Sequence, residues 1–89
     1  MPTVTFTPVL RRFLPVPDIR VKGSTVYAAL AAVFAEHPAL RGYIFDDQGA
    51  LRRHVAIYVN GEIVRDRIGL GDAVGRNDEI HVFQALTGG

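Results

Sequence analysis

The chain has 89 residues, 48% of them hydrophobic and 21% charged, which is the profile of one globular domain spanning 1–89. A chain this short leaves little core for a deep catalytic cavity. Ten basic and nine acidic side chains give a formal charge of +1, so no strong field points toward nucleic acid or an anionic membrane. The absence of cysteine excludes disulfides, thiolate metal sites, a cysteine nucleophile and a cysteine persulfide.

Arginine outnumbers lysine nine to one, and its planar guanidinium suits bidentate contact with carboxylates at interfaces. Arg11-Arg12 and Arg52-Arg53 are the local concentrations. The N-terminal residues lack the pattern of a signal peptide, and no apolar run approaches the roughly 20 residues that span a bilayer. The expected compartment is the cytoplasm.

In chain order, Thr3 to Leu10 alternates Val4, Phe6 and Pro8 with Thr5, Thr7 and Val9, which predicts a strand with one apolar face. Pro8 marks an edge position or a strand end. Ile19 and Val21, alternating with Arg20 and Lys22, predict a second strand antiparallel to the first. Gly23-Ser24 opens a helix running from Thr25 to His37, with Ser24 as N-cap. Val26, Leu30, Val33, Phe34 and His37 fall on one stripe, and Pro38 ends the helix.

The stretch from Ala39 to His54 reads as irregular, with Tyr43, Ile44 and Phe45 tucked under the sheet and a turn at Asp46-Asp47-Gln48-Gly49. Val55, Ile57 and Val59 alternate as a strand, and Asn60-Gly61 is a tight hairpin turn before Glu62-Ile63-Val64. Gly69, Gly71 and Gly75 punctuate a loop whose spacing does not fit a dinucleotide fingerprint. Glu79 to Ala85 is the last strand.

Two strands, one helix, a hairpin and a final strand predict an α+β, β-grasp (ubiquitin-like) fold. Its mixed sheet of four to five strands would carry one helix packed across one face and leave the other face open.

Catalytic chemistry finds no foothold in this sequence. Ser24, the sole serine, is assigned to the helix start, and His37, His54 and His81 lack the i, i+4 spacing that brings two imidazoles to one metal. No catalytic residue, metal ligand or bound cofactor is assigned. Tyr58 and Phe83 could stack on bases, but the near-zero charge removes the phosphate attraction that supports such binding.

The end of the sequence stands out instead. Leu86-Thr87-Gly88-Gly89 follows the last strand directly and reads as a flexible tail, 86–89, which fully extended reaches about 13 Å. Two residues without Cβ can pass a narrow channel and accept whatever backbone angles a partner imposes. Such a tail suits a carboxylate that another protein must activate.

The sequence resembles the ubiquitin-like sulfur carriers, a family that includes the small subunit of molybdopterin synthase, the thiamine-pathway carrier and the cysteine-biosynthesis carrier. The likeness is carried by Ile57-Tyr58-Val59-Asn60-Gly61-Glu62, by Gly75-Arg76-Asn77-Asp78-Glu79-Ile80 and by Gly88-Gly89. Leu51-Arg52-Arg53-His54 running into Val55 looks most like the cysteine-biosynthesis carriers. Gln84-Ala85-Leu86-Thr87 departs from the proline and small residue often found before the family's diglycine.

The resemblance implies a carrier, not an enzyme, whose Gly89 is adenylated and converted to a thiocarboxylate, with Gly88 and Thr87 as the flexible neighbours. Its partners would be an E1-like adenylating enzyme that consumes ATP, a sulfur donor and an acceptor biosynthetic enzyme, with neither nucleic acid nor membrane among them. Phe83 and Ile63 would be the apolar contacts, joined at the interface by Leu86, Arg52 and Arg53. The alternatives are a modifier conjugated through Gly89 to lysines, and a binding module in which the diglycine is incidental.

Overall fold

The computed structural model describes residues 1–6 and 18–84. Arg11-Arg12, Pro8 and the proposed extension of the first strand to Leu10 lie outside them, as do Ala85 and the tail Leu86, Thr87, Gly88 and Gly89.

Five strands form one sheet: β1 (Thr3–Phe6), β2 (Asp18–Arg20), β3 (Val55–Val59), β4 (Glu62–Ile63) and β5 (Glu79–Gln84), in the order β2-β1-β5-β3-β4. The first and last strands lie side by side and parallel, with Val4 opposite Ile80 and Phe6 opposite Val82, while the remaining pairings are antiparallel. β1 is therefore an interior strand, which excludes the edge position as one of the two readings of Pro8; Pro8 itself lies outside the described residues. The inner face follows the period-2 pattern: Ile19, Val4 and Ile80 line up across three strands, and Phe6, Val82 and Ile57 across the next row. All six are buried.

Helix α1 (Val26–Glu36) lies over this face and buries Val26, Ala29, Leu30, Val33 and Phe34. The predicted stripe holds, with His37 half-buried at the helix end, where its N–H donates to the Val33 carbonyl. The N-cap differs from expectation. Thr25, not Ser24, takes the extended cap conformation and its Oγ1 accepts the Ala28 N–H at 3.1 Å. Ser24 is exposed, and its carbonyl accepts the Val74 N–H. Gly23 before it is required, because a Cβ there would lie 2.7 Å from the Ala29 amide nitrogen.

The segment after Pro38 is helical where irregular structure was expected. Pro38 ends α1 but opens a 3₁₀ turn, Pro38–Leu40, followed by a one-turn helix, α2 (Arg41–Ile44). Proline is well placed at the first position of a helical turn, where its missing N–H costs nothing. Leu40, Ile44 and Phe45 enter the core, and the Phe45 ring meets Phe34 edge to face at 5.7 Å. Tyr43 does not tuck under the sheet; it points outward and is exposed.

The hairpin is as predicted. Asn60 and Gly61 both adopt positive φ, 52° and 87°, the pair of values that a two-residue type I′ turn needs. The Asn60 amide then clasps the turn before β5: its Nδ2–H donates to Asp78 Oδ1 at 3.0 Å and its Oδ1 accepts the Glu79 N–H at 2.9 Å. Asp78 also accepts the Gly75 N–H at 2.7 Å. Two of the stretches that carry the family resemblance are thus joined to each other and serve the fold.

Candidate functional site

With α1 covering one face, the opposite face of the sheet has no helix over it among the described residues. The register places Asp18, Thr5, His81, Tyr58 and Ile63 in a row across all five strands, with Phe83 and Ala56 beside it. Thr5 Oγ1 donates to Asp18 Oδ1 at 2.9 Å, so the β2 end of the row is polar. The other end is apolar, since Phe83 is 48% exposed and Ile63 52% exposed.

The aromatic groups are held by one another. Tyr58 and Phe83 pack edge to face at 5.5 Å, and the His81 ring lies nearly parallel to Phe83 with centroids 6.3 Å apart. Ala56, Tyr58, Gly61, His81 and Phe83 line a shallow hollow of about 510 Å³. His81 Nε2 also lies 4.0 Å from Glu79 Oε1. The hollow is open and mostly apolar, with no activated nucleophile, which suits holding a partner's side chain and not chemistry on a small molecule.

A larger groove, about 940 Å³, separates the hairpin from the segment 65–73. Its Asp66, Asp72 and Asp78 are already occupied by backbone N–H groups. Asp66 accepts from Ile68, Gly69 and Gly71, and Asp72 accepts from Arg65 and Asp66. These bonds hold all three carboxyls below the usual carboxylate range, for Asp78 with help from the Asn60 side chain. The carboxylates act as turn locks. Among the described residues no group of three or more His, Asp or Glu could hold a metal ion.

The sequence-predicted interface residues separate into two places. Phe83 and Ile63 share the open face, Ile63 lying directly across from Tyr58 and Phe83 one row along. Arg52 and Arg53 lie where β3 begins, beside the end of β5, because Val55 pairs with Gln84. The Arg52 Nε–H donates to the Gly42 carbonyl at 2.9 Å, and Arg53 is exposed. Leu86, Thr87, Gly88 and Gly89 fall outside the described residues.

Sequence reasoning paired Tyr58 with Phe83 as aromatics able to stack but counted neither Tyr58 nor His81 among the partner-binding residues, although it had assigned both to strands. The signal was parity: Tyr58, His81 and Phe83 all lie off the inward register of Ile57, Ile80 and Val82. It also missed Arg67, whose guanidinium donates to the Val55 carbonyl at 3.0 Å and the Arg52 carbonyl at 3.4 Å. No spacing rule points to that contact, which depends on how the loop after β4 folds back. Among the described residues no helix is long and apolar enough to cross a membrane.

Comparison with known proteins agrees with this architecture. The chain is 38% identical over 66 residues to small archaeal modifier protein 1 of Haloferax volcanii, covering 74% of this chain and 71% of that protein. It is 32% identical over 74 residues to the sulfur carrier protein CysO of Mycobacterium tuberculosis, covering 81% and 80%. A chain in the crystal structure of the Amycolatopsis orientalis BexX/CysO complex superposes with a TM-score of 0.85 at 28% identity, with complete coverage of both. These relatives are small carriers and modifiers, as the non-enzymatic reading anticipated. The ThiS family model matches residues 14–89, and with the β-grasp fold in place the chain belongs to the ThiS family of small ubiquitin-like proteins.

Proposed function

We propose that this protein is a sulfur carrier that works through the carboxylate of Gly89 while its open sheet face docks on the enzymes that modify and use it. The observation that carries the reading is an adjacency. β5 bears Phe83 on the open face, and Gly89 is only the fifth residue after its last residue, Gln84. A partner seated on Phe83 and Tyr58 is therefore within reach of the tail, at roughly 3.3 Å per extended residue.

The chemistry requires help from outside the chain. A carboxylate is a poor electrophile, so an E1-like adenylating enzyme first lets the Gly89 oxygen attack the α-phosphate of ATP, releasing pyrophosphate and leaving an acyl adenylate. Hydrosulfide from a sulfur donor then adds to the acyl carbon. The acyl–oxygen bond breaks, AMP departs with the electron pair, and a thiocarboxylate and a proton remain. That sulfur is nucleophilic without any cysteine in the carrier, and an acceptor biosynthetic enzyme would use it to make cysteine or another sulfur-containing metabolite or cofactor.

The 38% identity to an archaeal modifier protein favours a second use of the same activated carboxyl, an isopeptide bond to a lysine of a target protein. Intact-mass measurement tests the first reading: incubation with the activating enzyme, ATP and sulfide should replace one oxygen of Gly89 by sulfur. A variant lacking Gly89 should show no gain and melt as the parent does. Sulfur uptake by the truncated chain would refute the mechanism, and conjugates surviving on a denaturing gel would establish the second use.

A further inference from the structure

We infer that the β3 side of the end of β5 carries a basic collar, Arg52, Arg53 and Arg67, in which Arg52 and Arg67 are held in place, with Ile68 as its apolar tip. This collar fits a partner protein whose tail-receiving socket has an acidic rim and a small apolar depression. The inference rests on the proposed function in one respect, that the tail following β5 is delivered into a partner.

Three observations converge. The first is position: Arg67 Nη1–H donates to the carbonyl of Val55, the residue paired with Gln84, and its Nη2–H donates to the Arg52 carbonyl. The collar therefore stands one strand away from where the tail begins. The second is charge. None of these three arginines lies within 4.0 Å of a carboxylate of a described residue; Arg52 and Arg67 spend hydrogen bonds on backbone carbonyls, which fix the guanidinium groups without neutralising them. Guanidinium groups held this way present remaining N–H donors to an incoming carboxylate with little further loss of side-chain freedom.

The third is the tip. Ile68 is 95% exposed, yet it sits in a turn that is locked from within. Asp66 accepts from the N–H groups of Ile68, Gly69 and Gly71, and Asp72 accepts from those of Arg65 and Asp66. An exposed apolar side chain on a rigid turn meets a partner pocket without an ordering cost. Cations without a carboxylate partner among the described residues, on the same side as an exposed apolar tip, complement a partner surface that pairs carboxylates with an apolar pocket.

The test uses the full-length chain with its adenylating enzyme and measures association rate and affinity over a range of salt concentrations. Arg53→Glu should slow association by about tenfold at low salt and flatten its salt dependence, as expected when a steering charge is reversed. Ile68→Asp should weaken affinity by roughly tenfold or more through faster dissociation. Both side chains are exposed, so both variants should melt with the parent. Rates and affinities equal to the parent's for both would overturn the collar, even while the parent gains sulfur normally. If the parent binds but gains no sulfur, the carrier chemistry fails and the collar is still judged by the variants. If the parent does not bind at all, both fall.

Discussion

Tyr58 and Phe83 meet edge to face at 5.5 Å on the uncovered side of the sheet, so the exposed Phe83 ring is buttressed by a neighbour on β3 while its outer face stays free. A pre-positioned aromatic of this kind can anchor a partner without first being ordered. Phe83→Asp is expected to weaken binding to the activating enzyme by about 2 kcal/mol or more. Its melting temperature should fall only slightly, since the lost contacts are those with Tyr58 and His81. Calorimetry and thermal melting on one variant decide the matter: retained affinity, or a collapse in melting temperature, would remove Phe83 from the interface.

The same pair shows what was legible in the sequence. Strand parity separates Phe83 from Ile80 and Val82, and Asn60-Gly61 fixes the hairpin, so the open face and its tail-bearing strand follow from local pattern. What stayed hidden depends on tertiary contact. Asn60 reaching Asp78 and Glu79, Arg67 reaching Val55, and the carboxylate locks at Asp66 and Asp72 all join residues through loop paths that have no period to read. Residues 38–44 went unread as helix because each of the two helical pieces is about one turn long, too short for a 3.6-residue stripe to register.

Leu30 is fully buried between α1 and the sheet, in a core with no buried polar or charged residue among the described residues. Leu30→Asp would place a carboxylate there with nothing to pair it. The loss should exceed the roughly 2–5 kcal/mol typical of a buried leucine cut to alanine, and unfold the domain. Glu36→Lys, on the exposed side of the same helix, should shift stability by less than about 0.5 kcal/mol. Chemical denaturation of the two variants distinguishes the faces, and equal tolerance would contradict the packing.

The start of α1 offers a sharper comparison, because the cap is Thr25 and not the neighbouring Ser24 that was expected. Thr25→Ala removes the acceptor of the Ala28 N–H and should cost about 1 kcal/mol. Ser24→Ala removes an exposed hydroxyl and should cost almost nothing. If denaturant midpoints reversed that order, the cap would have been assigned to the wrong residue.

Acid titration probes the turn locks. Asp66 has its carboxyl held below the ordinary value first by the N–H groups of Gly69 and Gly71, which bond the charged form, and Asp72 likewise first by that of Arg65. A carboxyl whose folded pKa is depressed stabilises the fold fully above its unfolded pKa, near 4, and that stabilisation is lost as pH falls through the lower folded value. Asp66→Asn keeps the shape of the side chain but replaces one oxygen by a donor and removes the charge. It should lower the melting temperature at pH 7, and the gap to the parent should narrow as pH falls below the unfolded value near 4 and on through the parent's lower folded one, where its own carboxyl becomes protonated. Melting curves of parent and variant between neutral pH and strong acid would show this. A gap that stays constant across that range would mean that the Asp66 charge contributes nothing and that the turn is held by other bonds.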